Sequence, residues 1–293
     1  MGMQVAAVIS VILNGILIGG VYGLTSSAFT FQSGALKFSN FSYGACIMLS
    51  MYLTFFAVRE WNIPWPLAIT MVLIINVMFG IFMRKTVLNN DSLSTQILCT
   101  MGISLIIVNL VTFTFTSLPR TMAIFEVRLN IVDGISIGLT QLLCFVLATV
   151  ILLGVHFLLT KTWTGRAIRA VVQNKSIAST MGINSERMMD IAFSLSYALI
   201  GLSGVMLMIM FQVDPNFGNY IQTIAFLVCI SAGLGNLKGS YFSGIIVGVT
   251  SALITYLLGA KWHNPVLFGL FVIILLVRPY GIFNSKKNVA RSL

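Results

Sequence analysis

Arg166 and Arg169 lie three residues apart in a basic connection, 161–187, that also holds Lys161, Lys175 and Arg187. At that spacing both guanidinium groups leave one face of a helix, while Ile168, Val171 and Val172 supply an apolar side. The next stretch, 176–181, meets no breaker until Gly182, a natural residue for the left-handed turn that ends a helix. Two short helices of this kind present charge and apolar surface to a soluble partner; a solvated loop that only fixes topology is the blander reading. Chemistry elsewhere is scarce. No G-x-x-x-x-G-K-[ST] segment is present to cradle phosphates, so the chain is expected neither to hydrolyse ATP nor to hold a cofactor itself. His156 and His263 have no partner at metal-ligand spacing and read as interface residues, so no metal site is expected. No acidic or histidine constellation marks an enzyme.

Apolar helices have to position these residues. The chain is 58% hydrophobic and 8% charged, with a mean hydropathy of +0.98. A water-soluble domain of that composition would expose very large apolar patches, so lipid is its solvent. A helix rises about 1.5 Å per residue and the hydrocarbon core is roughly 30 Å thick, so each crossing takes about 20 residues. Apolar runs at 5–31, 36–58, 65–83, 97–116, 139–160, 189–211, 221–235, 241–259 and 265–277 predict an all-α polytopic transmembrane domain of eight or nine spans, a single domain over 1–293. Two runs are irregular. The run 36–58 opens with Lys37, Ser39, Asn40 and Ser42, and 221–235 ends in Gly233, Leu234 and Gly235, so either fits a broken or re-entrant helix. Cys46, Cys99, Cys144 and Cys229 fall inside apolar runs as small fillers. The N-terminal run lacks a basic leader and a small-residue cleavage site, and reads as a retained first span.

The formal charge of +10 raises the question of nucleic acid, but the basic residues sit in short connections, as cytoplasmic loops do. The connection 161–187 and the tail 278–293, with Lys286, Lys287 and Arg291, are assigned to the cytoplasm, together with Arg84, Lys85 and Lys238. The connection 117–138, where Glu126 and Asp133 balance Arg120 and Arg128, is assigned outside with 214–219. Nine crossings then place the N-terminus outside and the C-terminus inside. Trp61 and Trp65, flanking Pro64, suit the outer interface. Within the spans ionisable groups are nearly absent, Lys37 being the main exception. Intramembrane charges cost about 2.5 to 3.5 kcal/mol on insertion scales, and pumps that use them show them plainly. Energy for uphill transport would therefore enter from outside the membrane, unless the chain is a passive channel.

Glycine supplies the remaining pattern. Gly15, Gly19 and Gly23 recur every four residues and Gly244 with Gly248 repeats the spacing, leaving two helix faces open to close packing. Gly233, Gly235 and Gly239 surround Asn236 and Lys238 at a span end, where a hinge or a plain turn fits. Asp214, Pro215 and Asn216 form an external turn.

Four blocks carry a family resemblance. Gly165-Arg166-Ala167-Ile168-Arg169-Ala170 with Gln173 and Asn174, then Met181-Gly182-Ile183, resembles the coupling region of permeases from branched-chain amino acid ABC importers. Leu13-Asn14-Gly15 with Gly20, Tyr22 and Gly23 resembles their first helix. Gly233-Leu234-Gly235 with Gly239, Gly244 and Gly248 resembles their glycine-rich late segment, and Arg278-Pro279-Tyr280-Gly281-Ile282-Phe283 their closing block. The match runs over nearly the whole chain.

The resemblance implies a bacterial inner (cytoplasmic) membrane permease that works with a second homologous permease, two cytoplasmic ATPases that use ATP and Mg, and an extracytoplasmic solute-binding protein. Gly165, Arg166, Arg169, Gln173, Asn174, Met181 and Gly182 would contact an ATPase, and Asp214, Pro215 and Gly218 the binding protein. Asn40, Ser42 and Tyr43, with Gly233, Gly235, Asn236 and Gly239, are the candidates for the translocation path or a hinge. One departure bears on the solute. Where the family reads N-F-A-H-G-E this chain reads Asn40-Phe41-Ser42-Tyr43-Gly44-Ala45, so a polar pair is lost and the cargo stays open between Leu, Ile or Val and relatives' solutes such as urea and short amides. A stand-alone channel or secondary transporter is the alternative.

Overall fold

The computed structural model describes residues 2–36, 38–87, 92–115, 118–122, 128–132, 135–278 and 281–283. Lys37, Glu126, Asp133, Pro279, Tyr280 and the tail residues Lys286, Lys287 and Arg291 lie outside the described residues. The chain is a helical bundle in which α1 (Gly2–Thr30) runs into a π-helical turn (Phe31–Ala35), followed by α2 (Tyr43–Phe55) with its own π turn (Phe56–Glu60). Next come α3 (Trp65–Val87), α4 (Leu93–Phe115), an antiparallel hairpin of β1 (Arg128–Val132) and β2 (Ile135–Gly138), and α5 (Leu139–Lys161). Two short helices, α6 (Trp163–Gln173) and α7 (Lys175–Thr180), precede α8 (Ser185–Met210), α9 (Phe217–Ala232), α10 (Leu237–Leu258) and α11 (His263–Val277).

Six of these, α1, α3, α4, α5, α8 and α10, are long and apolar enough to cross a membrane, and α9 and α11 are shorter apolar helices. Their lipid-facing sides are bare hydrocarbon: on α4, Leu98, Leu105 and Ile106 are exposed and Phe113 is 91% exposed. That surface is at rest only in a bilayer, which makes the protein a multi-pass membrane protein. The hairpin is the departure from the all-helical expectation. Its two strands have 5 and 4 residues, too short for a period of two to stand out against the flanking loop.

The irregular runs resolve into breaks with identifiable causes. The helix predicted from residue 36 begins at Tyr43, because Asn40 draws the chain into a turn: its Oδ1 accepts hydrogen bonds from the Ser42 backbone N–H at 3.0 Å and from Ser42 Oγ at 2.7 Å. Helix α9 ends at Ala232, short of the expected 235, because Gly233 (φ +89°) and Gly235 (φ +83°) both take left-handed conformations. Asn236 then caps α10, its Oδ1 accepting from the Gly239 N–H at 2.9 Å.

In lipid, helices gain little hydrophobic energy by pairing, so close backbone contact has to hold them. The two glycine stripes meet for this purpose. A Cβ on Gly19 would lie 2.6 Å from the Ile245 Cα, and one on Gly248 would lie 2.4 Å from the Gly19 Cα, so α1 and α10 touch backbone to backbone. Buried α2 forms the centre of the bundle, against α8, α9, α4 and α3.

The bundle has two distinct ends. The lower end carries α6, α7 and the segment 281–283, where Ile282 N–H donates to the Ser231 carbonyl at 2.7 Å; the four helices α8 to α11 lie between them in sequence and return the chain to that end. The upper end carries the hairpin, tied to α1 by Ser10 Oγ and Asn14 Nδ2, which donate to the Ser136 carbonyl at 3.0 and 3.2 Å.

Gly19→Leu or Gly248→Leu is expected to overpack the α1–α10 contact at a cost of about 1 to 3 kcal/mol. Gly102→Ala and Gly154→Ala, which meet nothing within 4 Å, are expected to be nearly neutral. Thermal unfolding of detergent-solubilised protein, followed by size-exclusion fluorescence, separates the two pairs.

Candidate functional site

Helices α9 and α11 have 16 and 15 residues, so at about 1.5 Å per residue each is only roughly 22 to 24 Å long. They begin below the upper end and leave a recess above their first turns. A vestibule of ≈ 860 Å³ occupies it, lined by the upper half of α1 (Ser10, Asn14, Ile18, Tyr22), the upper half of α10 (Ser251, Thr255) and the start of α11. A second cleft of ≈ 550 Å³ descends between α9 and α11. Asn219, Gln222, Thr223 and Asn264 lie along it with Phe226, Leu227, Leu267 and Phe271. Among the described residues, neither cleft is lined by an Asp, Glu, Lys or Arg. Tyr220 and Asn264 belong to both.

Between the clefts runs a chain of hydrogen-bonding groups from four helices. Tyr22 OH on α1 lies 3.3 Å from Tyr220 OH on α9, which lies 3.3 Å from His263 Nε2 on α11. His263 Nδ1 is 3.1 Å from Thr255 Oγ1, and Ser251 Oγ is within 3.4 Å of the ring. The sequence reading set His263 aside as an interface residue because metal spacing was the signal sought; its hydroxyl partners are 8, 12 and 43 residues away, so no local pattern marks them.

Asn40, Ser42 and Tyr43 are buried and line neither cleft. They form a knot behind the cleft wall instead. Asn40 Nδ2 donates to Gln32 Oε1 at 3.0 Å and to Tyr197 OH at 3.1 Å, and Tyr43 OH donates to the Thr25 carbonyl. The Gly44 N–H in the first turn of α2 donates to Gln222 Oε1 at 3.2 Å, which links the knot to a cleft-lining residue that sequence reasoning missed. The lower-end candidates Gly233, Gly235, Asn236 and Gly239 stand apart from this group, in the turn between α9 and α10. Asp214, Pro215 and Gly218 lie in the segment from α8 to α9. Asp214 Oδ1 accepts from the Asn216 N–H at 2.7 Å, and Val213 pairs with Arg120 through both backbone groups at 2.8 and 2.9 Å.

At the lower end, side-chain caps punctuate the connection 161–187. Thr162 Oγ1 accepts from Gly165 N–H at 3.1 Å, Asn174 Oδ1 from Ile177 N–H at 3.0 Å, and Asn184 Oδ1 from Arg187 N–H at 3.0 Å. Gly182 takes φ +80° after α7. The apolar side of α6, Ile168 and Val171, turns inward, and Gly165 rests on the α5 backbone at Leu158 and Leu159. The exposed apolar residues are therefore Trp163, Ile177 and Met181, set among exposed Arg166, Arg169, Gln173 and Asn174. Below α3 and α8, Arg84 reaches both Glu186 and Asp190, and Lys175 Nζ at the start of α7 lies 2.5 Å from Glu186.

Comparison with known families settles the class. The family described as "Branched-chain amino acid transport system / permease component" matches residues 11–276. The chain belongs to this permease family. It is 25% identical over 291 residues to the high-affinity branched-chain amino acid transport system permease protein BraD of Pseudomonas aeruginosa, covering 92% of this chain and 94% of that one. It is 24% identical to LivH of Escherichia coli K12, with 92% and 93% covered, and 27% identical to the probable branched-chain amino acid transport permease protein LivH of Methanocaldococcus jannaschii, with 93% and 90% covered. No solved structure matches the chain.

In this permease the ion group at Arg84 ties the start of the short helix α7 to the end of α3 and the start of α8, two helices that already pack extensively on each other. Arg84 is 11% exposed, and without it Glu186 and Asp190, one turn apart, would repel. Arg84→Ala is expected to lower stability by about 1 to 2 kcal/mol, since the partners are partly solvated. Adding Glu186→Gln should recover part of that loss, and thermal midpoints of the single and double variants at low and high salt give the coupling.

Proposed function

We propose that this chain is the permease subunit of an ATP-binding cassette importer in the bacterial inner (cytoplasmic) membrane. With a second, homologous permease it forms the path for a branched-chain amino acid or a related small polar solute such as urea or an amide. The observation that carries this reading is the family match over residues 11–276, joined to uncharged polar clefts that open at the end of the bundle opposite α6 and α7. A solute delivered at the upper end by an extracytoplasmic binding protein would meet Asp214, Pro215 and the β-hairpin at the rim, then enter the vestibule.

Two cytoplasmic ATPases supply the work, with ATP and Mg bound by them and not by this chain. Their contact is the lower surface of Arg166, Arg169, Gln173, Asn174, Met181 and Gly182, to which the exposed positions of Trp163 and Ile177 add apolar anchors. Gly165 acts behind that surface by letting α6 lie against α5, so a push on α6 is carried directly into a membrane helix. The ion group at Lys175, Glu186 and Arg84 offers a second connection, from α7 into α8 and α3. Charge in this reading directs the cytoplasmic docking, and the +10 balance is a topological bias with no role in nucleic-acid binding.

The test is uptake of radiolabelled L-leucine, urea and acetamide into proteoliposomes holding the full set of subunits. ATP-dependent accumulation of one of them is expected, and Arg166→Glu with Arg169→Glu should cut it by about tenfold or more. Flux through this chain alone without ATP would show a channel or secondary transporter instead, and unchanged uptake in the double variant would remove the docking role.

A further inference from the structure

Among the described residues, Tyr220 is the one that lines each of three clefts in the upper half of the bundle: the vestibule, the descending groove, and a recess of ≈ 330 Å³ bounded by Phe211, Gln212, Asp214, Asn216 and Phe217. With Asn264 it stands where the vestibule meets the groove. Its hydroxyl is held between Tyr22 OH and His263 Nε2, each at 3.3 Å, and His263 is held in turn by Thr255 and Ser251.

The side-chain partners of the imidazole are hydroxyls, which donate or accept by rotating one O–H bond, and the Ser251 backbone carbonyl, an acceptor, also faces the ring. The Tyr22 and Tyr220 hydroxyls can therefore present a donor to a carboxylate or carbonyl, or an acceptor to an ammonium or amide N–H. Some of the neighbouring polar groups are already committed. Ser10 and Asn14 hold the hairpin through the Ser136 carbonyl, and Gln222 Oε1 holds the first turn of α2. Among the described residues no carboxylate, ammonium or guanidinium lines the vestibule or the groove, so a solute of net charge would shed water there without a counter-charge. Below the cluster, Phe226, Leu227, Leu267 and Phe271 offer apolar surface to the remainder of the solute.

We infer that Tyr220, with Tyr22 and His263, is a solute-holding station inside the permease, and that it takes small solutes of zero net charge whose polar head both donates and accepts hydrogen bonds. The station selects against cations and anions at the membrane step. It rests on the importer reading for the direction of travel, but its occupancy is measurable without ATP.

Asn264, which lines both large clefts, is the reporter position. Purified full-length Asn264→Cys protein is treated with a water-soluble charged methanethiosulfonate reagent, and modification is followed peptide by peptide. Of the native cysteines Cys46, Cys144 and Cys229 are buried and Cys99 is exposed on α4, so the reporter is read separately. L-Leucine or acetamide should slow modification, while L-lysine and L-glutamate should not. Tyr220→Phe, which keeps the ring and removes the hydroxyl, should raise the half-protecting concentration about tenfold. His263→Gln should do the same, and Tyr256→Phe, in the vestibule wall outside the cluster, should not.

Protection by none of the four probes would overturn the station, as would equal protection by lysine and glutamate, or protection unchanged in Tyr220→Phe protein of normal elution. A chain that passes these tests yet shows no ATP-driven uptake in the complete assembly would retain the station and lose the importer reading.

Discussion

The fold depends on how α2 can begin inside the bilayer. Lipid offers no hydrogen bonds, so a helix that starts below the interface leaves N–H groups that only protein can satisfy. Here the start is enclosed: Gln222 reaches across from α9 to the Gly44 N–H, Thr100 Oγ1 on α4 accepts from the Phe41 N–H at 3.1 Å, and Asn40 accepts from the Ser42 N–H. A Cβ on Gly44 would fall 2.0 Å from the Gly218 carbonyl oxygen, so α2 and α9 can share this satisfaction only while that position carries no side chain. Once the break is stable, the centre of the bundle belongs to a helix that never meets lipid, and the cleft-bearing helices α9 and α11 are arranged around it.

That arrangement divides the polar residues into two kinds. Those of the knot, Gln32, Asn40, Ser42, Tyr43 and Tyr197, are buried and bond to one another or to backbone, the Gln32 Nε2 excepted, which has no partner among the described residues. Those of the clefts, Asn219, Thr223, Asn264 and the Tyr220 cluster, face open space. Gln222 spans both sets. Tyr43 and Ala45, where the resemblance would put His and Glu, fall on the knot side of this division: Tyr43 reaches the Thr25 carbonyl on α1 and Ala45 is buried. Their first effect is therefore on how α1 and α2 are joined, and only through that on the cleft wall.

Much of the bundle was legible because its signals are local or strictly periodic. The apolar runs, the stop at Gly182 and the glycine stripes of α1 and α10 rest on spacing alone, and the stripes do meet face to face. The hairpin and the true start of α2 were not legible. One is too short for its period, and the other turns on Asn40, whose turn with Ser42 is local but whose side chain is held by Gln32 and Tyr197, 8 and 157 residues away. The polar clefts were hidden for the same reason, since Tyr22, Tyr220 and His263 read singly as ordinary residues of apolar helices. On α6, sequence spacing correctly separated an apolar side from a charged side, but it could not tell that the apolar side is used up in packing, leaving Trp163, Ile177 and Met181 as the greasy part of the surface.

The shortness of α9 and α11 has an electrical consequence. Water standing in the vestibule would bring bulk potential down to the level of Tyr220, so the membrane voltage would fall over the remaining depth, steepening the local field without changing the total drop. Moving one elementary charge through 100 mV involves about 2.3 kcal/mol, a toll or a subsidy that would vary with the cell's energetic state. A zwitterion or an amide carries no net charge through that field. Transport of such a cargo through clefts whose described lining carries no fixed charge would be indifferent to membrane voltage.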